Sequence, residues 1–155
     1  IERLRILRIK RIFMSQLNSN IHISFPEESH KIIGAAMAVH RFFGCGFTEK
    51  VYQDAFEIEL RKQGIPYQRE VQIHASYHEI QLSSTFIPDF VCYDKIIIEL
   101  KAVKELDDMH RSQSINYAKV ANYPLAILIN FGEPSLKFER FPNYKGINSY
   151  NSHNS

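Results

Sequence analysis

At 155 residues, with 45% hydrophobic and 23% charged residues, the chain has the size and composition of one globular domain and not of a disordered or fibrous protein. Its formal charge of +2 comes from the first thirteen residues, IERLRILRIKRIF, which hold five of the nineteen basic residues and one of the seventeen acids; the rest balances at −2 and excludes a general polyanion binder. No apolar run approaches the roughly 20 residues that span a bilayer, and Cys45 and Cys92 make neither a CxxC pair nor a disulfide framework, so no membrane partner and a cytoplasmic location are expected.

Residues 1–23 are expected to form a flexible basic extension, of a kind that can serve as a membrane-surface or nucleic-acid arm. The simpler expectation is that Met14 is the native start, since the chain opens on Ile and nothing else in it is shaped like a targeting segment. Ser24 to Glu28 predicts a helix start, with a serine cap, Pro26 in the first turn and two acids at the positive dipole end. Ile32, Ile33, Ala36, Met37 and His40 recur at helical spacing until Gly44-Cys45-Gly46. A second helix is predicted from Thr48 to Gln63, with Val51, Ala55, Ile58 and Leu60 on its apolar side and Gly64 as its stop.

Three strand-like segments follow, Pro66 to Ser76, Ile80 to Tyr93 and Lys95 to Val103, and then a helix from Asp107 to Ala121 capped by Asp107 or Asp108. The nearly all-apolar Pro124 to Phe131 suits an interior strand buried on both faces, and Leu136 to Phe141 a short last strand. Residues 143–155, NYKGINSYNSHNS, predict a polar disordered tail, which leaves residues 24–142 as the folded domain. The order α-α-β-β-β-α-β-β predicts an α/β (α+β) fold, a mixed four- to five-stranded sheet flanked by helices.

Chemistry concentrates in FIPDFVCYDKIIIELKAV, residues 86–103. Side chains two apart on a strand share a face, so Glu99 and Lys101 point the same way, with Ile97. Asp89 lies one strand away if the segment is a hairpin. Two carboxylates and a lysine suit a hard cation such as Mg²⁺, with the lysine serving an attacking water. Parity restricts this. A two-residue turn at Asp94-Lys95 pairs Phe90 with Glu99 and sends Asp89 to the opposite face. The site therefore requires a three-residue loop, Tyr93 to Lys95, or a bulge or bend, for which Pro88 supplies a reason.

Pro88-Asp89, nine intervening residues, then Glu99-Leu100-Lys101 resembles the signature of the PD-(D/E)xK nuclease superfamily. Gly46-Phe47-Thr48-Glu49-Lys50-Val51-Tyr52 fits the GxxExxY pattern that names a small bacterial family within it. EIELRKQGIPYQREVQI, HRSQSINYAKV and LAILINFG are similar to that family's helix-to-strand passage, its His-x-x-Gln-x-x-x-Tyr helix and its closing strand. The resemblance runs from Lys31 to Phe141; Ser112 and Ser114 beside the glutamine, and the polar Tyr77 to Thr85, depart from it.

The resemblance implies a restriction-endonuclease-like core and a metal-dependent nuclease that hydrolyses phosphodiester bonds, in DNA by analogy, through a metal-activated water. Asp89, Glu99 and Lys101 would be catalytic. Asp89, Glu99, Glu49 and the Leu100 carbonyl would hold Mg²⁺, with Mn²⁺ as a substitute. Gln113 and Tyr117 would contact or support the nucleic acid, as would Tyr52.

Simpler readings stand beside these. Asp89, Glu99 and Lys101 would also serve as a solvated surface cluster, Glu49 as an early-helix acid, and Tyr52 as a core residue. His110 suits a helix surface better than a base. The alternative function is a non-catalytic module of nuclease fold that binds nucleic acid or a partner protein; whether the chain forms a homodimer is left open.

Overall fold

The structure is a computed structural model that describes residues 25–154; the basic extension and the Ser24 cap lie outside the described residues. The chain divides into two compact units, 1–31 and 32–155. Of the first, only Phe25 and the start of helix α1 (Pro26–Phe43) are described, and all later elements lie in the second. After α1 come α2 (Glu49–Lys62), β1 (Tyr67–Arg69), β2 (Ile73–Tyr77), β3 (Ile80–Phe86), β4 (Phe90–Cys92) and β5 (Ile96–Lys101). Then come α3 (Asp108–Ala121), β6 (Leu125–Asn130), β7 (Lys137–Pro142) and α4 (Tyr144–His153). No described helix is long and apolar enough to cross a membrane.

Five strands make one mixed sheet in the order β1-β4-β5-β6-β7, while β2 and β3 form a separate two-stranded ribbon. Only β5 and β6 pair in parallel, which requires a crossover, and α3 supplies it. All six residues of β6 are buried, as the unbroken apolar run Pro124 to Phe131 predicts for a strand covered on both faces. Tyr52, Phe56 and Leu60 of α2, spaced four apart, are fully buried. Phe56 meets Phe90 edge-on at 5.2 Å, and Tyr52 stacks on Phe131 at 4.7 Å. Val91 points to the other face, where it joins Ile97, Ala126 and Ala118 of α3. The predicted fold class is therefore the observed one.

The differences are local. Two of the three predicted strands are each broken in two. The first breaks at Glu70, whose φ of 53° is left-handed. The second breaks at Ile87-Pro88, because proline has no N–H to donate to a ladder. His78 and Glu79, at φ 46° and 66°, make the two-residue turn between β2 and β3, where type I′ geometry needs both values positive. The predicted disordered tail contains a helix, α4. Its composition is polar, but Asn143 Nδ2 donates to the carbonyls of Ala118 (3.1 Å) and Tyr123 (2.9 Å), and Ile147 is buried.

Candidate active site

The site exists because β4 stops early. The loop to β5 has three residues, Tyr93, Asp94 and Lys95, since Cys92 pairs with Ile96; Tyr93 and Asp94 take left-handed φ values of 55° and 56°. The same register pairs Phe90 with Ile98 and brings Asp89 opposite Glu99. This is the three-residue case that parity demands. At Asp89, however, the backbone ladder gives way to side chains. The Asp89 N–H donates to Glu99 Oε1 at 3.2 Å, and the Leu100 N–H donates to Asp89 Oδ2 at 2.7 Å. Each carboxylate thus accepts a backbone hydrogen bond from the other strand, and together they bridge the gap that opens beyond Phe90. The Asp89 carbonyl accepts from the Glu70 N–H at 3.0 Å, so the chain stays joined to the β1 side while it leaves β5.

Burial dominates the electrostatics of both acids, and at Glu99 the Asp89 charge adds to it. Glu99 is only 4% exposed. Loss of solvent and then the neighbouring Asp89 charge push its pKa up to about 8, against a smaller opposing effect of the Asp89 N–H and of Lys101. Burial likewise raises Asp89 to about 6; the Leu100 N–H and Lys101 oppose the rise, and the Glu49 charge adds to it. Glu99 is thus a buried acid and Asp89 a half-buried one, each raised chiefly by loss of solvent. Lys101, half-buried at the end of β5, is a cation whose field reaches both.

Glu49 opens α2, as GxxExxY spacing places it, but it meets the pair indirectly. Gln53, one turn on, donates from Nε2 to Glu49 Oε1 at 3.4 Å and to Asp89 Oδ1 at 3.1 Å. Among the described residues no group of three His, Cys, Asp or Glu side chains converges tightly enough to hold a metal ion. The oxygens that the strands bring together are two carboxylates and a main-chain carbonyl. In a strand, a residue's N–H and C=O lie along the same edge, so the Leu100 carbonyl faces the Asp89 side, as its N–H does. Such hard oxygen donors fit Mg²⁺, which keeps several waters and needs only one or two carboxylates from protein.

The strand ends beside Lys101 are held by Asn130, its partner in the parallel register and fully buried. Asn130 Oδ1 accepts from the N–H groups of Val103 (3.0 Å) and Gly132 (3.1 Å), while Nδ2 donates to the Val103 carbonyl and Glu133 Oε2, both at 2.9 Å. Gly132 is needed for this closeness, because a Cβ there would sit 2.2 Å from the Val103 carbonyl oxygen. Gly132→Ala should therefore cost about 1–3 kcal/mol and lower the thermal midpoint by several degrees. An unchanged midpoint in a calorimetric scan would show that the clamp relaxes freely.

The remaining candidates make contacts of their own. Tyr52 is a core residue whose hydroxyl donates to the Gly44 carbonyl at 2.5 Å, so it supports the turn that leads into Glu49. Gln113 Nε2 donates to the Tyr117 hydroxyl at 3.0 Å, and the Tyr117 ring stacks on Phe86 at 4.5 Å. The pair is thus one unit on α3. His110 closes a capping box with Asp107 and is a helix-capping residue. Neither Gln53 nor Asn130 stands out in the sequence. Asn130 has a signal, as the single polar residue in PLAILINF, and Gln53 has one in its i+4 spacing from Glu49.

A family model described as the PD-(D/E)XK nuclease superfamily matches residues 26–141, a span that holds Asp89, Glu99 and Lys101. The chain belongs to the PD-(D/E)XK nuclease superfamily. No curated protein and no solved structure matches it. Superfamily membership accords with the sheet order and points to nucleic-acid cleavage as the chemistry of the site.

Proposed function

We propose that this PD-(D/E)XK chain is a divalent-cation-dependent nuclease of the GxxExxY type that hydrolyses phosphodiester bonds in DNA. The observation that carries the reading is the Asp89–Glu99 pair, set opposite each other by register with Lys101 two residues on. Buried paired carboxylates are unfavourable for folding alone, and a cation makes them useful. Asp89, Glu99 and the Leu100 carbonyl would hold Mg²⁺ or Mn²⁺, with Glu49 in support through Gln53. When bound, the cation supplies Lewis-acid activation of water and offsets charge growing on the phosphate.

The chain's own groups do the rest. Hydrolysis forms a bond from a water oxygen to phosphorus, breaks the bond from phosphorus to the leaving sugar oxygen, and moves a proton from water to that oxygen. Lys101 orients the water, and its charge favours the deprotonated form. Asp89 and Glu99 would act as ligands in their ionised form, which a bound cation favours over the protonated one. Gln113 and Tyr117 hold the nucleic acid beside them.

Purified protein should nick or degrade DNA with Mg²⁺ or Mn²⁺ and be silent in chelator; RNA of the same sequence tests the choice of substrate. A calorimetric titration in which wild type binds neither cation would favour a non-catalytic nucleic-acid module instead. Tyr117→Phe keeps the stack on Phe86 and removes the hydroxyl that Gln113 holds. It should raise KM for DNA about fivefold, the worth of one hydrogen bond, and leave kcat within about twofold. A loss confined to kcat would move the pair from binding to chemistry.

A further inference from the structure

Gln53 joins helix α2 to the Asp89 carboxylate, and neither the GxxExxY pattern nor the PD-(D/E)xK signature assigns it a role. We propose that Gln53 is a positioning residue that fixes the Asp89 carboxylate for the cation, an inference that rests on the nuclease reading. Asp89 is held at both oxygens from different elements. Oδ2 accepts from the Leu100 N–H of β5 at 2.7 Å, and Oδ1 accepts from Gln53 Nε2 of α2 at 3.1 Å. A carboxylate with one oxygen fixed still swings about that bond. Fixing the second sets the plane of the group and so the direction of its remaining lone pairs.

The amide does a second thing. Its two N–H groups are shared between Asp89 Oδ1 and Glu49 Oε1, at 3.1 and 3.4 Å, so it stands between two like charges with the positive end of its dipole toward each. Gln53 is half-buried on α2 with Tyr52 and Phe56 fully buried beside it, so the helix cannot rotate the amide away without unpacking its core face. An (i, i+4) bond to Glu49 alone would be ordinary helix-surface chemistry. The contact to Asp89, thirty-six residues away in sequence, gives the amide a place in the site. Outer-shell partners of metal-binding carboxylates typically affect affinity or activity by about 10–100-fold.

The test has two readouts. In chelator, thermal midpoints of wild type, Gln53→Leu, Asp89→Asn and the double variant form a cycle. Gln53→Leu should lower the wild-type midpoint by about 2–4 °C more than it lowers that of Asp89→Asn. By calorimetry, Gln53→Leu should weaken Mn²⁺ binding about 10-fold or more, with a circular dichroism spectrum like that of wild type. A purely structural glutamine would lower the midpoint in both backgrounds equally and leave the Mn²⁺ Kd of the folded protein unchanged; that outcome overturns the proposal. If wild type binds no Mn²⁺ while the cycle still shows coupling, the nuclease reading fails. Gln53 is then only a tether for Asp89, and its role toward a cation is overturned as well.

Discussion

Lys101→Ala should reduce cation-dependent cleavage of DNA by about 10²–10⁴-fold, the range for a group that assists proton movement in the transition state. The fold should survive. The side chain is half-buried at the end of β5, and the strand is held there by main chain, with the Lys101 carbonyl accepting from the Phe131 N–H at 2.8 Å. Cation affinity separates this variant from a ligand variant. The lysine charge favours the ionised acids but repels a second positive charge, so Lys101→Ala should bind Mn²⁺ as well as wild type or better. Asp89→Ala should lose both binding and cleavage, since it removes the proposed ligand and leaves the Leu100 N–H without its acceptor and the Gln53 amide with Glu49 alone. Paired measurements of Mn²⁺ Kd and initial rate decide the matter. Equal loss of affinity in both variants would make Lys101 a structural charge and remove it from the chemistry.

How far these assignments can be seen in the sequence differs from element to element. Helical spacing of apolar residues locates α1 and α2, and an unbroken apolar run locates β6, because each must bury a continuous face and little else competes with that demand. The sheet's chemistry is half legible. Glu99 and Lys101 share a face by strand period alone, whereas Asp89 depends on loop length, which turns on two non-glycine residues, Tyr93 and Asp94, in left-handed φ. Neither residue announces that conformation, so parity can pose the question and only the backbone can answer it.

The tail helix and Gln53 escape the sequence for a different reason. Helix α4 follows from hydrogen bonds of Asn143 and from the approach of Gly146 to Tyr123, where a Cβ would lie 2.4 Å from the Tyr123 carbonyl oxygen. Composition carries no trace of such contacts. Gln53 works across the gap between helix and strand; its i+4 spacing from Glu49 is local, but its contact with Asp89 is not.

Glu99→Gln should make the cation-free protein more stable at pH 8 while abolishing cleavage. Both acids have folded-state pKa values above their ordinary ones, about 8 for Glu99 and about 6 for Asp89, chiefly from burial. The folded protein therefore binds more protons than the unfolded chain between about pH 4 and pH 8, and stability falls as pH rises through that window. At pH 5 the pair is largely protonated and costs little; at pH 8 Asp89 is ionised and Glu99 about half so, and the two charges oppose each other. The substituted amide would retain an oxygen to accept the Asp89 N–H, so the variant keeps the bridge between strands and loses only the charge. The gain at pH 8 should be on the order of 2–4 kcal/mol, with most of the slope between pH 5 and pH 8 removed. Saturating Mn²⁺ should flatten the wild-type slope too, because it binds and stabilises the ionised form, but should leave Glu99→Gln nearly unmoved. Thermal scans of both proteins at pH 5, 6.5 and 8, with chelator and with Mn²⁺, test every sign. A wild-type midpoint that rises with pH in chelator, or a glutamine variant less stable than wild type at pH 8, would mean that the buried acids are not held against their own charge. Asp89 and Glu99 would then owe their place to packing, and their burial would be no argument for a bound cation.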